Sequence, residues 1–291
     1  MKIVIKILTV LINWNNDQII IDLQLISRYN QKMNDIVKYP STIHLEGSAL
    51  QNNDSTDVVS FDFLKNKFIV IEAKIDGANC GLSFSSDGEL LMQSRGHYLL
   101  GHDKKHFDLF KRFCRNWEDE LFDQLGDQYI MYGEWMYALH SIYYDKLPHY
   151  FMEFDIYDKF NYKFLSTEKR REITKSFKNV RVESVPVLTS GNFSDPRSML
   201  DLIGPSIYIS DNAIDDLKIE MDKKRYPENV KESLLKLNEG KIDEGLYVKL
   251  ETEEETIGRF KFVRSDFTQT IIDNDLHWND RPIISNKVLD I

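Results

Sequence analysis

Residues 68–85 read FIVIEAKIDGANCGLSFS, and this stretch decides how the rest of the chain is interpreted. The run 68–73 is rich in apolar and β-branched side chains, which is typical of a buried strand. The pair Asp76-Gly77 follows as a turn signal. Two further strand-like runs come next, at 80–85 and 89–94. The pattern predicts an antiparallel meander with Lys74 at the end of its first strand.

The rest of the chain predicts helices packed against more strands. Within 107–121, apolar residues recur at three- and four-residue steps between charged neighbours, the pattern of an amphipathic helix that covers a sheet. A charged helix is expected to begin near Ser166, a suitable N-cap, and further helices within 195–237. Other strands are expected at 129–135, 150–157, 245–251 and 256–264. Together these elements predict an α+β fold in which antiparallel β-sheets are flanked by helices.

The composition limits the class of protein. With 291 residues and 42% hydrophobic content, the chain can bury a large core. Its formal net charge of −10 argues against a protein that coats nucleic acid with its whole surface, because such proteins carry a basic excess. Contact with phosphates is therefore expected in a local basic cleft. The two cysteines, Cys80 and Cys114, lack the spacing of a zinc or redox motif, so we expect reduced thiols and a cytoplasmic location.

The sequence predicts no membrane partner. The apolar opening run 1–12 is interrupted by Lys6 and is followed by no small-residue cleavage site, which disfavours a secretory signal. No apolar run reaches the roughly 18 to 20 residues that span a bilayer.

Lys74 is the residue whose position asks for a chemical explanation. A lysine amine is protonated in neutral water and is then a poor nucleophile, since its reference pKa is about 10.4. Burial and nearby cations would lower that pKa. The sequence offers Arg95, Lys249, Arg259 and Lys261 as candidate neighbours. Taken alone, the segment fits equally well a strand lysine that extends to solvent beside an ordinary turn.

Six segments, taken in order, resemble the motifs shared by ATP-dependent polynucleotide ligases and messenger RNA capping enzymes, the covalent nucleotidyltransferase superfamily. They are Lys74-Ile-Asp76-Gly77 (motif I), Ser94-Arg95-Gly96 (Ia), Tyr132-Gly-Glu134-Trp135 (III), Phe151-Met-Glu-Phe154-Asp-Ile156 (IIIa), Glu244-Gly245-Leu-Tyr-Val-Lys249 (IV) and Arg259-Phe-Lys261 (V). The resemblance covers roughly residues 68–264 and is strongest to ATP-dependent RNA ligases. It implies an ATP-grasp-like nucleotidyltransferase domain.

The resemblance also implies a role for each motif residue. Lys74 is implied as the nucleophile that attacks the α-phosphorus of ATP and carries AMP. Glu72 is implied in the adenine pocket, Phe154 as the aromatic that stacks on the purine, and Glu244 as a ligand of Mg²⁺, with Mn²⁺ as a substitute. The other implied nucleotide-binding residues are Asp76, Gly77 and Asn79 of motif I, Arg95 and Glu134 at the ribose and its phosphate, and Lys249, Arg259 and Lys261 at the α-phosphate.

Some motif residues have plain structural interpretations as well. Seen alone, Phe154 would be a core phenylalanine, and Glu134 a carboxylate at a strand edge. Arg259 stands where phage RNA ligases commonly have a lysine, which keeps the charge but changes the geometry. Lys261 is therefore the better candidate of the pair, and Arg264 is a substitute cation.

Two other features point less clearly to a site. His97, His102 and His106 could form a metal site, but no cysteine or carboxylate pattern completes it. The aromatic and basic residues of 104–117 could bind nucleic acid, yet their periodicity fits core packing on one face.

The expected domain plan is a lead-in segment (1–60), a nucleotidyltransferase or adenylation domain (61–265) and a short C-terminal segment (266–291) without an OB-fold. About thirty residues after Lys261 are too few for such a barrel, which favours an RNA ligase over a DNA ligase or capping enzyme. The implied partners are RNA ends, a 5′-phosphate and a 3′-hydroxyl, in a duplex or single strands. The open alternatives are a DNA ligase of minimal type and a non-catalytic RNA- or nucleotide-binding protein. The sequence does not fix the oligomeric state, and residues 39–48 and 277–282 flank the motifs without an assigned chemical role.

Overall fold

The structure is a computed structural model that describes residues 36–50, 57–100, 105–267 and 281–289. Its strands are β1 (Ile43–Leu45), β2 (Val58–Val59), β3 (Phe68–Lys74), β4 (Ala78–Phe84), β5 (Leu90–Ser94), β6 (Tyr129–Trp135), β7 (Phe151–Asp158), β8 (Lys163–Leu165), β9 (Glu183–Ser184), β10 (Val187–Asn192), β11 (Gly245–Glu251) and β12 (Glu255–Val263). Its α-helices are α1 (Asp108–Asn116), α2 (Glu118–Leu125), α3 (Thr167–Thr174), α4 (Ala213–Lys223) and α5 (Glu228–Asn238). Short 3₁₀ helices occupy Phe61–Leu64, Lys105–Phe107 and Pro196–Leu202.

The strands of the described residues form one sheet in the order β10-β3-β11-β12-β8-β7-β6-β4-β5. Pairing along this path is antiparallel, whereas β1 joins β12, and β9 joins β7, in parallel. The predicted α+β class with antiparallel sheet and flanking helices is confirmed.

The predicted meander is correct for β4 and β5 but wrong for β3. Strand β3 pairs with β10 and β11, while β4 pairs with β5 and β6. The residues around Asp76-Gly77 therefore connect two halves of the sheet instead of forming a hairpin turn. The first half contains β3, β11 and β12, and the second contains β4, β6 and β7.

The first half has one apolar and one polar face because side chains alternate along a strand. Ile69, Ile71, Leu246, Val248 and Phe260 are buried together on the apolar face. The alternate positions carry charged and polar side chains, and the register aligns them. Cα partners are Glu72 with Tyr247, Tyr247 with Lys261, and Lys249 with Arg259. A row of polar side chains thus lies on one face of three adjacent strands.

The helix predicted within 107–121 is two helices, α1 and α2, which meet at Trp117. Phe107, Phe110, Cys114 and Leu121 are buried in the core beneath β4 and β6, as their spacing predicts. Trp117 is 37% exposed and is the exception. Core packing, rather than base stacking, is therefore the role of the buried aromatic residues of this segment.

The described parts of the segments outside the family-like region also join the fold. Within the expected lead-in, β1 pairs with β12 and β2 pairs with β1, so this part is not irregular. In the C-terminal segment, Ser285 and Val288 form isolated β-bridges with Ala138 and Leu147. Within the described residues, no helix is long and apolar enough to cross a membrane.

Candidate active site

Lys74 lies at the end of β3 because the apolar alternation of that strand stops there. Its Cα partner on β11 is Gly245, so Glu244 stands immediately beside it. The amine of Lys74 donates a hydrogen bond to a carboxylate oxygen of Glu244. The side chain of Lys74 is 22% exposed and that of Glu244 is 9% exposed, so the pair is only partly enclosed. We call the polar face on which it lies, from Lys74 and Glu244 to Glu72 and Lys249, the cleft.

Two more carboxylates share this environment. Glu134 on β6 faces Asn79 on β4 across the second half of the sheet. Burial and the neighbouring Glu244 and Asp76 raise the pKa of Glu134 to about 8, despite the opposing effect of Lys74. Burial and Glu244 raise the pKa of Asp76 to about 6. The site therefore gathers three carboxyl groups, those of Glu244, Glu134 and Asp76, around one lysine.

This arrangement reverses the expected electrostatics of Lys74. Burial lowers its pKa, but Glu244, Glu134 and Asp76 outweigh burial, and the pKa of Lys74 is raised. The prediction that neighbouring cations lower it is wrong. The reason is the strand register, which places Glu244 next to Lys74 and holds Lys249 and Arg259 four residue pairs farther along the sheet.

The turn after Lys74 is held by a buried polar scaffold. The Asp76 carboxylate accepts the backbone N–H groups of Ser141 at 2.7 Å and Ile142 at 2.9 Å. The backbone N–H of Asp76 donates to the Tyr144 hydroxyl at 3.0 Å. Asn238 holds the same segment by accepting the Tyr143 N–H at 2.8 Å. Asp76 thus fixes the loop that follows motif III, a role that the sequence did not reveal.

A second set of charged groups lies farther along the polar face. Lys249 is fully buried, with its amine 3.0 Å from both Glu72 and Asp155. Arg170 of α3 is also buried and pairs with Glu72 at 2.5 Å and Glu153 at 3.1 Å. Burial acts to raise the pKa of Asp155, but Lys249 and Arg170 hold it below its usual value.

The carbonyl oxygen of Phe154 belongs to the same network, because Lys249 and Arg170 both donate to it. The Phe154 ring is half-buried and packs edge-on against Tyr39 at 5.1 Å between centroids. Glu72 and Phe154, the two residues expected at the purine, are therefore joined through the same pair of cations. Their proposed contacts with the base remain predictions.

The other predicted nucleotide-binding residues are spread along the cleft. The guanidinium carbon of Arg259 lies 3.8 Å from the Phe164 ring centroid. Its Nη1 is buried and has no hydrogen-bond partner within the described part of the chain. Lys261 is half-buried between Tyr247 on β11 and His44 on β1. The Asn79 Oδ1 atom is buried next to Glu134 and also lacks a partner among the described residues.

Arg95 and Arg264 are placed differently from the cleft residues. Arg95 is exposed on the loop after β5. The Nε of Arg264, the substitute cation, donates to the Asp243 carbonyl at 2.9 Å, which ties it to the chain just before Glu244. Gly77 lies between β3 and β4, where the chain passes from the first half of the sheet to the second. A Cβ added at Gly77 would stand 2.9 Å from the Trp135 carbonyl oxygen.

Two participants in the cleft were missed by sequence reasoning. Arg170 lies in a helix that showed only a charged, polar pattern, so no local signal separated it from solvated residues. Tyr39 lies in the segment to which no chemical role was attached. Only its contacts across the fold reveal it, since its partner Asp155 is 116 residues away.

Among the described residues, no three His, Cys, Asp or Glu side chains form a ready-made metal cage. His102, one of the three histidines of the metal site considered from the sequence, lies outside the described residues. Mg²⁺ keeps several waters and is usually held by one or two carboxylates together with substrate phosphates. Glu244 and Glu134 supply hard oxygen donors of that type beside Lys74.

The chain is similar to several solved structures. No curated protein matches the sequence significantly. Among solved structures, a Naegleria gruberi RNA ligase variant with ATP and Mn is 16% identical, with a TM-score of 0.47 and coverage of 89% of this chain and 70% of that chain. An archaeal ATP-dependent RNA ligase is 15% identical, with a TM-score of 0.48 and coverage of 80% and 49%.

The comparison with family models gives the assignment. The model described as RNA ligase matches residues 67–263, which is more than half of the chain and includes Lys74, Glu134 and Glu244. The chain therefore belongs to the RNA ligase family, enzymes that form phosphodiester bonds between RNA ends.

Proposed function

We propose that this chain is an ATP-dependent RNA ligase that carries AMP on Lys74. The observation that supports the proposal best is the position of Lys74, whose amine lies at a strand end beside Glu244 and within the field of Glu134 and Asp76. The amine is accessible enough to meet a substrate, and the surrounding oxygens can hold a cation against its phosphates.

The reaction has three in-line phosphoryl transfers. First, the Lys74 Nζ attacks the α-phosphorus of ATP, the N–P bond forms, and the bond to the bridging oxygen of pyrophosphate breaks. Second, an oxygen of the RNA 5′-phosphate attacks the phosphorus of lysyl-AMP and releases the Lys74 amine. Third, the 3′-hydroxyl attacks the 5′-phosphorus, and AMP leaves as the phosphodiester forms.

The raised pKa of Lys74 means that its amine must lose a proton before the first step. Glu244 accepts a hydrogen bond from that amine, and Glu134, with a pKa of about 8, is also placed to exchange protons near neutral pH. A divalent cation held by Glu244 and Glu134 with the ATP phosphates would add positive charge that weakens this electrostatic hold on the proton.

The roles of the other predicted nucleotide-binding residues are assigned from their positions in the cleft. We place the purine near Phe154 and Glu72, and the phosphates near Lys74, Asn79 and Lys261. Arg95, exposed on its loop, fits contact with the RNA backbone or ribose better than a buried nucleotide contact. Lys249 holds Glu72 and Asp155 in this structure, so its proposed contact with the α-phosphate would need its amine to leave one of them.

We further propose that residues 61–265 are the adenylation domain and that the enzyme is cytoplasmic. The family match at 67–263 supports the first proposal. Both cysteines are free and buried, which supports a reducing compartment.

The test is labelling with α-³²P-ATP and Mg²⁺, after pyrophosphate treatment to remove any AMP already bound. We expect label on the denatured chain in an acid-labile bond, none with Lys74→Ala, and full labelling with Lys218→Ala, which removes an exposed lysine of α4. No adduct on the wild-type chain would contradict the proposal and favour a binding protein.

The substrate is then tested with pre-labelled enzyme. We expect transfer of AMP to the 5′-phosphate of an RNA end, offered in a nicked duplex or as a single strand, and sealing of that end to an RNA 3′-hydroxyl. Equal sealing of an all-DNA nick would instead support the DNA ligase of minimal type.

A further inference from the structure

The segment that precedes the family match crosses both halves of the sheet. At one end, the Val37 carbonyl accepts hydrogen bonds from the Gln93 side chain at 2.9 Å and from the Tyr132 hydroxyl at 2.6 Å. Both donors belong to the second half, on β5 and β6. At the other end, β1 pairs with β12 of the first half, with Ile43 opposite Phe260. Residues 37–45 therefore form a strap across the cleft.

Tyr39 is the point at which the strap enters the cleft. Its side chain is buried, and its hydroxyl donates to Asp155 on β7. The same hydroxyl lies 2.6 Å from the hydroxyl of Tyr247 on β11. One phenol thus connects the two halves at the position where the charged network and the proposed purine site meet.

The ring of Tyr39 adds packing to these hydrogen bonds. Its centroid lies 5.1 Å from Phe154, 5.1 Å from Tyr132 and 5.7 Å from Phe164, each in an edge-on geometry. Such contacts fix ring orientation as well as burying surface. The side chain that we place against the purine is therefore supported on its own edge by Tyr39.

We infer that Tyr39 is a positioning residue for the nucleotide pocket, holding Asp155 and Phe154 in place from outside the residues 67–263 that match the family model. The inference rests on the proposed function. Asp155 in turn holds Lys249, whose other carboxylate partner is Glu72. Loss of the phenol hydroxyl leaves a buried oxygen of Asp155 without its donor and loosens the Lys249–Glu72 pair behind the purine.

We expect the main effect on nucleotide binding because the two described hydroxyl partners of Tyr39 do not belong to the Lys74 cluster. Neither Glu134 nor Glu244 hydrogen-bonds to Tyr39 among the described residues. Burial and the adjacent Asp155 raise the pKa of Tyr39 well above its usual value, so the hydroxyl keeps its proton and remains a donor throughout the working range of pH.

The experiment measures single-turnover AMP transfer to the full-length chain as a function of ATP concentration. For Tyr39→Phe, we expect the ATP concentration at half-maximal rate to rise about tenfold while the maximal rate changes by less than about threefold. The matched control is Tyr226→Phe, which removes another buried hydroxyl that donates to the Pro282 carbonyl at 2.6 Å. It should leave both parameters unchanged.

The inference is overturned if Tyr39→Phe keeps the wild-type ATP dependence, or if it lowers only the maximal rate. If circular dichroism shows that Tyr39→Phe does not fold, Tyr247→Phe takes its place. For Tyr247→Phe we expect a smaller rise in the ATP concentration at half-maximal rate. An unchanged ATP dependence of that variant also overturns the inference. Failure of the proposed function looks different, because the wild-type chain itself would then form no AMP adduct.

Discussion

The amine of Lys74 is hydrogen-bonded to the carboxylate of Glu244, a residue 170 positions later in the chain. The pairing exists because β3 and β11 are neighbours, with Lys74 opposite Gly245. It joins the proposed nucleophile to the proposed metal ligand in one contact. It also contributes to the raised pKa of the Lys74 amine.

Glu134→Gln should stabilise the protein at alkaline pH. The pKa of Glu134 is raised from 4.5 to about 8, so the folded state favours its protonated form. The free energy of unfolding of the wild type therefore decreases as pH rises from about 4.5 to about 8. The glutamine variant cannot ionise at this position and does not show this decrease. We expect the variant to be more stable by at least about 1 kcal/mol at pH 9 and equal to the wild type near pH 4.5.

Thermal unfolding at the two pH values measures this difference, and AMP labelling should meanwhile fall. A variant that is less stable than the wild type at pH 9 would show that ionised Glu134 stabilises the fold through Lys74.

Arg170→Met should destabilise the protein strongly. The substitution leaves Glu72 and Glu153 buried without the guanidinium between them, a change that costs about 3 to 5 kcal/mol. The control is Arg181→Met, since Arg181 is 45% exposed in its pair with Glu183 and should cost less than about 1 kcal/mol. Urea denaturation of both variants gives the comparison, and equal midpoints would contradict the role of Arg170.

Gly245→Ala should disturb the site through the backbone. A Cβ at Gly245 would stand 1.9 Å from the carbonyl oxygen of Phe262, so β11 and β12 would have to separate beside Glu244. We expect a loss of at least about 2 kcal/mol together with weaker AMP labelling. Gly204→Ala is the control, because a Cβ there meets no atom within 4 Å. A tolerated Gly245→Ala would show that the two strands can adjust.

Lys249→Met and Lys261→Met should separate stability from catalysis. Lys249 is fully buried between Glu72 and Asp155, so its removal should cost about 3 kcal/mol. Lys261 is half-buried, and its removal should cost about 1 kcal/mol or less while slowing AMP transfer about a hundredfold. Unfolding and single-turnover labelling on both variants measure the two effects. A stable, inactive Lys249→Met would instead support the predicted phosphate contact.

Much of the fold was readable from the sequence because it depends on local periodicity. Runs of strand-forming residues predict the strands at 129–135 and 245–251. The capping residue Ser166 predicts the start of the helix that follows it. The motif order likewise identified Lys74, Glu134 and Glu244 as a set, which the structure brings to one cleft.

Strand pairing and electrostatics were decided only by the tertiary structure. The pair Asp76-Gly77 looks like a hairpin turn locally, yet β3 leaves β4 for β11, because pairing depends on the partners available across the sheet. The pKa of Lys74 depends on which charges the register places beside it, and these are carboxylates. Tyr39 and Arg170 became visible only as contacts between distant residues, since a side chain's local sequence does not reveal what it will meet after folding.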